Sequence, residues 1–399
     1  MGFFSNVKSK DEIILVFDIG SGKVGGALFE TQESGVPKMI FSLTEPIAFS
    51  ENLDAGGLTI SMTSAMESIA NKIFTSGKGV PKEIYCVLSS PWYVSETRTI
   101  LYRKNTDFIF TEKLADGLVE KEVNLFKEQY MAQHGSSAGE SRIIELKNIK
   151  AILNGYETDK PLNQRANDLQ MNIFISMGEE SILQSIENTI RKYFHFDRIK
   201  FSSFVLSSFA VVRDLYSEQN DFLLVDIGGE ITDITMAKKN VLRESISFPM
   251  GRNFLTRGVA LDMQCSLNEA ESMISMFLSG HAEASTAQKI SASLDKNRLL
   301  WLKNFQESLS NISSDISIPS SIYLSVDKDL SDLFSQTIKA EQFNQYMVTE
   351  SKFEIVLLDS PIFHNLALFS DAMFREPNLI IDSVYINRLL INSASADIK

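Results

Sequence analysis

Two short turns in the sequence combine an aspartate with closely spaced glycines. The first follows an apolar run and contains Asp18, Gly20, Ser21, Gly22 and Lys23. Glycine lets backbone N–H groups approach a ligand closely, and a run of such groups forms a cradle for phosphate oxygens. An aspartate at the end of a strand can hold a hydrated Mg2+ on those phosphates. The first turn therefore indicates phosphate-binding chemistry.

The second turn repeats this arrangement in the second half of the chain, with Asp226, Gly228 and Gly229. A strand that ends in a glycine turn is common in any sheet, and an aspartate there often caps the turn by bonding nearby N–H groups. A single copy would fit that structural interpretation. Two copies, each followed by two further strands, instead indicate two facing halves that clamp a nucleoside polyphosphate between them. In that interpretation Asp18 and Asp226 hold the Mg2+.

The elements around the two turns follow one order, which predicts a duplicated α/β fold. In the first half we expect strands at 12–18, 24–30 and 38–43, an amphipathic helix at 58–74 and a strand at 83–89. The second half repeats the three-stranded unit over 221–248, and helices follow at 253–261, 267–277 and 292–310. We predict a mobile loop at 279–288, because that stretch is polar. Short strands are expected at 322–326 and 353–358.

A compact unit of strands and helices interrupts the first half. Residues 107–201 contain a charged helix, two strands that flank a turn-rich segment, and a closing helix at 179–193. An inserted α+β domain fits this alternation better than a linker does. The predicted division is a first lobe at 1–106 with the first phosphate turn, the insert at 107–201, a return to the first lobe at 202–220, and a second lobe at 221–399 with the second phosphate turn.

Composition and charge exclude several classes of protein. Lys and Arg number 38 against 51 Asp and Glu, so the net charge is −13, which argues against a nucleic-acid binder. Hydrophobic residues make up 44% and charged residues 22%, as is usual for globular proteins. The two cysteines, Cys86 and Cys265, are far apart and without nearby histidines, which argues against a disulfide framework or a zinc site. A cytoplasmic protein fits best.

Neither end of the chain carries an obvious membrane segment. No apolar run approaches the ~18 residues of a membrane-spanning helix. Phe3 and Phe4 could contact a membrane surface or simply belong to a frayed terminus. The tail at 391–399 is too short and polar for an amphipathic membrane helix. We therefore expect a protein that does not cross the bilayer and could lie at its inner face through Phe3 and Phe4 or through a partner.

The two turns and the insert resemble those of the actin-like ATPase superfamily. Residues 18–23 resemble its first phosphate loop and residues 226–233 its second. Within the superfamily the chain is most similar to the FtsA-type cell-division proteins, with the PilM-type pilus-assembly proteins as close kin, because both have an α+β insert before the second phosphate loop. Residues 155–161, which lead into 169–176, resemble the hairpin of that insert. The resemblance implies an actin-like, ribonuclease H-like duplicated fold of two lobes with a small inserted domain.

The resemblance also implies a site for ATP and Mg2+, with Asp18 and Asp226 as the metal ligands. The implied binding residues are Asp18, Gly20, Ser21, Gly22, Lys23, Asp226, Gly228, Gly229, Thr232, Gly251 and Glu271.

Three departures from the family pattern predict weak nucleotide binding. Glu230 replaces a glycine and would place a negative charge at the terminal phosphate, and Ile274 replaces a lysine. Residues 322–329 replace a strand and glycine run that packs on the nucleoside. The segment 204–211 carries no Gln or Glu to orient water, so hydrolysis should be slow or absent.

The function implied by the resemblance is that of a scaffold. An FtsA-type protein would self-associate and connect a membrane-bound assembly to cytoplasmic partners such as the tubulin-like division protein. A PilM-type adaptor would instead capture a peptide of an inner-membrane pilus protein. A third alternative, a sugar or acid kinase of the same superfamily, would need a catalytic aspartate and a second substrate pocket. Trp92 and Trp301 could serve as interface anchors, although core packing is the simpler interpretation.

Overall fold

The structure is a computed structural model that describes most of the chain. The described residues are 12–32, 34–52, 54–134, 139–196, 198–312, 317–340, 352–359, 361–370 and 373–396, with side chains at the C-terminal end to 391. Phe3, Phe4 and the end of the predicted polar tail lie outside these ranges. The predicted role of the two phenylalanines therefore stays a prediction.

The described residues form strands and helices that include the predicted ones and others that were not predicted, such as the strand at 94–109 and the helix at 204–215. The strands are β1 Ile13–Ile19, β2 Lys23–Glu30, β3 Lys38–Pro46, β4 Glu83–Leu88, β5 Val94–Ile109, β6 Ser141–Leu153, β7 Tyr156–Glu157, β8 Arg165–Glu179, β9 Lys200–Ser203, β10 Phe222–Ile227, β11 Thr232–Lys238, β12 Val241–Phe248, β13 Ser321–Val326, β14 Glu354–Leu357 and β15 Leu368–Phe369. The helices are α1 Ala55–Thr75, α2 Glu112–His134, α3 Glu180–Arg191, α4 Phe204–Leu215, α5 Arg252–Met263, α6 Leu267–Leu278, α7 Ala284–Ile312, α8 Ser331–Ala340 and α9 Pro377–Ala396.

Two of the sheets share one topology, as the duplicated sequence pattern predicts. The first has the order β15-β3-β2-β1-β4-β9 and the second the order β12-β11-β10-β13-β14. In each sheet a central strand pairs antiparallel with the strand that follows it and parallel with a later one. The central strand β1 pairs with β2 and β4, and β10 pairs with β11 and β13. The aspartate of each glycine turn therefore stands near the same end of equivalent central strands. The α/β class and the duplicated two-lobed fold are confirmed.

The two sheets lie on either side of a shared central layer. Residues of α4 and α9 pack in one apolar cluster with side chains from both sheets, including Val16 and Leu224. On the outer faces, α1 and α3 cover the first sheet, while α5 to α8 cover the second. Because both faces of the central strands are buried, β1 reads as a nearly continuous apolar run rather than an alternating one. This layering places the two glycine turns opposite each other.

The inserted unit is built on a third sheet of four strands in the order β5-β8-β6-β7. Its strands span 94–179, whereas the sequence pattern places the insert at 107–201. Helix α3, within the predicted insert, packs against the first lobe, because Leu183, Ile186 and Ile190 are buried in the cluster that contains α1. The sequence predicts a helix after β8, the last strand of the inserted sheet, but it does not indicate that this helix packs on the first lobe. The division into domains stays a prediction.

Two smaller expectations are wrong. The stretch 279–288 is not entirely a loop, since α7 begins at Ala284 and buries Ile290 against the second lobe. Trp92 and Trp301 are not interface anchors, because both are buried in lobe cores and their indole N–H groups donate to Gly20 O and Thr232 Oγ1. Tertiary packing decides both cases. No helix in the described part of the chain is long and apolar enough to cross a bilayer.

Candidate functional site

The two glycine turns meet at the inner end of a cleft between the lobes. The cleft has a volume of about 670 Å3. Its polar lining includes eight of the predicted site residues, which are Asp18, Gly20, Ser21, Gly22, Lys23, Asp226, Gly228 and Gly229. Its apolar lining comes from the ends of β13 and β14 and from the segment before α9, and includes Val326, Leu357 and Met373. The geometry thus brings most of the predicted phosphate-binding residues together.

The two turns contact each other directly. The backbone N–H of Glu230 donates to Ser21 Oγ at 3.0 Å. A Cβ atom added to Gly229 would lie 2.3 Å from Gly22 Cα, which only glycine permits. Gly20 and Gly228 each donate their N–H to a carbonyl within their own turn. These N–H groups are therefore used inside the protein rather than directed toward an anion.

Lys23 is held by carboxylates from two other parts of the chain. Its Nζ donates to Asp327 Oδ1 at 2.8 Å and to Glu376 Oε1 at 2.7 Å. Although burial alone would lower the pKa of Lys23, the two carboxylates raise it above its ordinary value. Burial alone would likewise raise the pKa of Asp327, but Lys23 and Arg252 bring it below its usual range. The cation of the first turn is thus already neutralised.

Several buried carboxyl groups surround the inner end of the cleft. Asp18 is 2% exposed, and its Oδ1 has no hydrogen-bond partner among the described residues. Burial raises the pKa of Asp18 and of Asp226 to about 7, and that of Asp233 to about 6. Asp382 of α9, whose pKa burial also raises, accepts a hydrogen bond from Ser207 of α4. The site therefore concentrates acidic groups that are costly to ionise together.

Three predicted site residues lie outside the cleft lining. Thr232 donates to Met250 O and accepts from the indole of Trp301, so its hydroxyl is used within the second lobe. Gly251 packs against the carbonyl oxygens of Gly228 and Gly229 and supports the second turn from behind. Glu271 lies on α6 and pairs with Arg252 at 3.6 Å. Their proposed part in binding stays a prediction.

Glu230 and Ile274, the first two departures from the family pattern, are directed away from the cleft. The Glu230 carboxylate, 3% exposed, accepts from both terminal nitrogens of Arg257 at 2.7 Å and from Asn253 at 2.8 Å. Because these donors neutralise it, Glu230 does not place a free negative charge at the cleft. This finding differs from the expectation drawn from the sequence. Ile274 is buried in the core of the second lobe, where a lysine would be costly.

The cleft residues do not fit a nucleoside triphosphate in this arrangement. The N–H groups of Gly20, Gly228 and Glu230 are bonded within the protein, and Lys23 is shared by two carboxylates. Asp327 and Glu376 would face the phosphates with like charge. Among the described residues, an oxygen of Asp18 and an oxygen of Asp382 are buried without a hydrogen-bond partner, and these two oxygens suit a cation. We therefore derive no step through a bound nucleotide.

Sequence reasoning missed four side chains of this site. Asp233 bridges the lobes, since it accepts from Ser90 at 2.8 Å and from Ser247. Glu376, Asn378 and Asp382 come from the start of α9, far along the chain from either turn. No local pattern marks Glu376, Asn378 and Asp382, because only the packing of α9 between the sheets brings them to the cleft. Asp233, by contrast, lies within the second glycine loop at 226–233.

Similarity to a solved structure shows the fold of this chain. No family model matches the chain, and no curated protein matches it in sequence. A solved structure described as the PilM-PilN type IV pilus biogenesis complex is similar with a TM-score of 0.60 and 12% identity, over 94% of this chain and 96% of that one. The ethanolamine utilization protein EutJ from Carboxydothermus hydrogenoformans matches with a TM-score of 0.43 and 9% identity, over 94% and 90%. The chain has the actin-like ATPase fold.

Proposed function

We propose that this protein is an actin-like adaptor that captures an extended peptide of a membrane protein on the cytoplasmic side of the membrane. The observation that carries the proposal is a groove of about 540 Å3 between the insert and the first lobe. The similarity to a PilM structure in complex with PilN supports this type of partner. The groove lies apart from the interlobe cleft, so peptide capture does not depend on ATP.

Two strand edges border the groove. The first sheet ends at β9, and β6 pairs beyond β8 only with the two-residue β7, at Ile152 and Leu153. Residues 141–150 of β6 and the outer edge of β9 therefore present backbone groups that no further described strand pairs. An extended peptide can add to such an edge through main-chain hydrogen bonds, while its side chains enter the groove.

The charge of the groove is opposite to that of the whole protein. Its lining contains five basic side chains, which are Arg142, Lys147, Arg191, Arg198 and Lys200, and two acidic ones, Glu145 and Glu187. Because Arg142 and Arg191 pair with Glu187 and Lys200 pairs with Glu83, Lys147 and Arg198 carry the positive charge that the groove offers to a peptide. The chain as a whole carries a net charge of −13. Apolar side chains such as Ile144, Ile199 and Phe201 lie between the charges. The groove therefore favours a peptide that alternates acidic and apolar residues.

Glu145 fixes the insert to the first lobe beside the groove. Its buried carboxylate accepts from Ser202 Oγ at 2.7 Å, Ser203 Oγ at 2.9 Å, Ser203 N at 3.1 Å and Tyr385 OH at 2.7 Å. These donors come from β9 and α9. Because one carboxylate joins three elements, the spacing of the two strand edges is set before any peptide binds, which reduces the cost of ordering on binding.

Fluorescence anisotropy with labelled 15-residue peptides tests this proposal. The probes are the cytoplasmic segments of membrane proteins encoded beside this chain, and a designed peptide with alternating Glu and Val. We expect binding that weakens with salt, and a loss of about tenfold in affinity when Lys147 and Arg198 are both replaced by Glu, because close charge pairs are reversed. The far-UV spectrum of the variant should match that of the wild type.

The matched control is the double variant Lys289→Glu, Lys303→Glu, an equal change of charge at two exposed positions of α7 in the second lobe. It should leave peptide affinity within a factor of about two, since screened charges at that distance contribute little. Equal losses in both variants would show that net charge alone decides binding. Unchanged affinity in the groove variant would contradict the proposed site.

Nucleotide binding should be weak in this adaptor. With Lys23 shared by Asp327 and Glu376, a phosphate must displace charged hydrogen bonds, each of which contributes about 1.5–3 kcal/mol. We expect calorimetric titration with Mg-ATP to show a dissociation constant above the millimolar range and no turnover. A micromolar constant would show that the turns rearrange to accept phosphate.

An FtsA-type role is the second candidate, supported by the sequence resemblance. It would add self-association and binding to a tubulin-like division protein, and the chain would lie at the inner face of the membrane through such partners. Sedimentation velocity of the chain alone and mixed with the tubulin-like protein of the same cell separates the two roles. Co-sedimentation would favour the FtsA-type scaffold, and peptide binding without it would favour the PilM-type adaptor.

A further inference from the structure

We infer that the protein's own groups, in addition to the Ser90–Asp233 hydrogen bond, clasp the two lobes together at three points, so that closure of the cleft needs no bound nucleotide. In a two-lobed protein, a ligand shifts the equilibrium toward the closed state only if the unliganded protein is not already held closed by its own contacts. Here polar contacts join the lobes in front of the glycine turns, at the turns and behind them. This inference concerns the cleft and is independent of the proposed peptide groove.

The central contact is the one between the turns. Ser21 Oγ of the first lobe accepts from the backbone N–H of Glu230 in the second lobe at 3.0 Å, and both residues are buried. The close approach of Gly22 and Gly229 leaves no room for side-chain atoms between the turns. The lobes therefore touch at backbone level, where no water can enter.

The front contact lies in the cleft itself. Lys23 belongs to the first lobe, whereas Asp327 follows β13 of the second lobe, and their ion pair of 2.8 Å crosses the cleft. Glu376, at the start of α9, pairs with the same ammonium group from the first-lobe side at 2.7 Å. Arg252 holds Asp327 from behind at 3.3 Å. A partly buried chain of alternating charges thus spans the opening.

The rear contact is made by Arg257 of α5. Its Nε donates to the carbonyl oxygen of Ser50 in the first lobe at 2.8 Å, and its guanidinium lies 5.4 Å from the ring centre of Phe49. Glu230 holds the other two nitrogens of the same guanidinium. The glutamate that replaces a family glycine therefore orients the residue that fastens the lobes on the face opposite the cleft.

Contacts on both faces and at the centre resist rotation of the lobes in either direction. A spin-label measurement on the full chain tests this directly, with Cys265→Ser as background and labels at the exposed positions Asn71 and Lys303. We expect one narrow distance distribution that millimolar Mg-ATP does not change. The double variant Lys23→Met, Arg257→Met should add a population at longer distances. Lys296→Met, which removes an ion pair with Asp262 inside the second lobe, is the control and should change nothing.

Each result decides the inference. A broad distribution in the unmodified chain, or one that Mg-ATP narrows, would show that closure depends on nucleotide and would overturn it. An unchanged distribution in a folded double variant would also overturn it. If the double variant does not fold, the single variants Asp327→Asn and Arg257→Lys replace it. Each weakens one interlobe contact with a side chain of similar shape. At least one of them must broaden the distance distribution for the inference to stand.

Discussion

Gly229→Ala is expected to lower the melting temperature by several degrees and to disturb the junction of the lobes. The new methyl group would lie 2.3 Å from Gly22 Cα, 2.5 Å from Gly22 N and 2.8 Å from the carbonyl carbon of Ser21. All three are backbone atoms, so no side chain can move aside. Overpacking of this kind costs about 1–3 kcal/mol or more. Differential scanning fluorimetry measures the change, and the spin-label distance between the lobes should lengthen.

The matched control for this substitution is Gly117→Ala in α2 of the insert. A Cβ atom there meets nothing within 4 Å, and alanine favours a helix over glycine by about 1 kcal/mol. The control should therefore raise the melting temperature or leave it unchanged. If Gly229→Ala behaves like Gly117→Ala, the turns have room to separate, and the close approach described above is not required for folding.

Asp226→Asn is expected to stabilise the protein at high pH and to have little effect at low pH. Burial, with a contribution from Asp233, raises the pKa of Asp226 to about 7 from an ordinary value of 3.8. Between pH 3.8 and about 7 the folded state keeps a proton on Asp226 that the unfolded state has lost. The free energy of unfolding is therefore highest below pH 3.8, and it falls as the pH rises through about 7. Asparagine avoids the buried charge and should add on the order of 2–4 kcal/mol at about pH 8.

Melting temperatures of both proteins across the pH range measure this effect. The gain from Asp226→Asn should grow from near zero at about pH 4 to its full value at about pH 8. Glu244→Gln, an exposed carboxyl on β12, is the control and should show no such trend. If Mg2+ stabilises the unmodified protein at high pH but not the variant, Asp226 is a metal ligand. A destabilised variant at high pH would show that its charge is required for folding.

The fold was predictable because its signals are local and repeated. Each copy places an apolar strand, an aspartate and a glycine turn in the same order, and β1 and β10 have the same neighbours in their sheets. The strand and helix bounds differ from the predicted ones mainly at their ends. The helix at α9 carried no comparable pattern, because a helix buried between two sheets is apolar on several sides rather than on one.

The sequence by itself determined that the two glycine turns reach the cleft, since a strand-ending aspartate and the glycines after it have fixed positions relative to the sheet. It could not determine what those residues bond. Lys23 pairs with Glu376, the Glu230 carboxylate pairs with Arg257, and the Glu230 N–H donates to Ser21. These partners lie between 27 and 353 positions away in the chain. Hydrogen bonds and ion pairs depend on distances of a few ångströms, which only the packing of the two lobes sets.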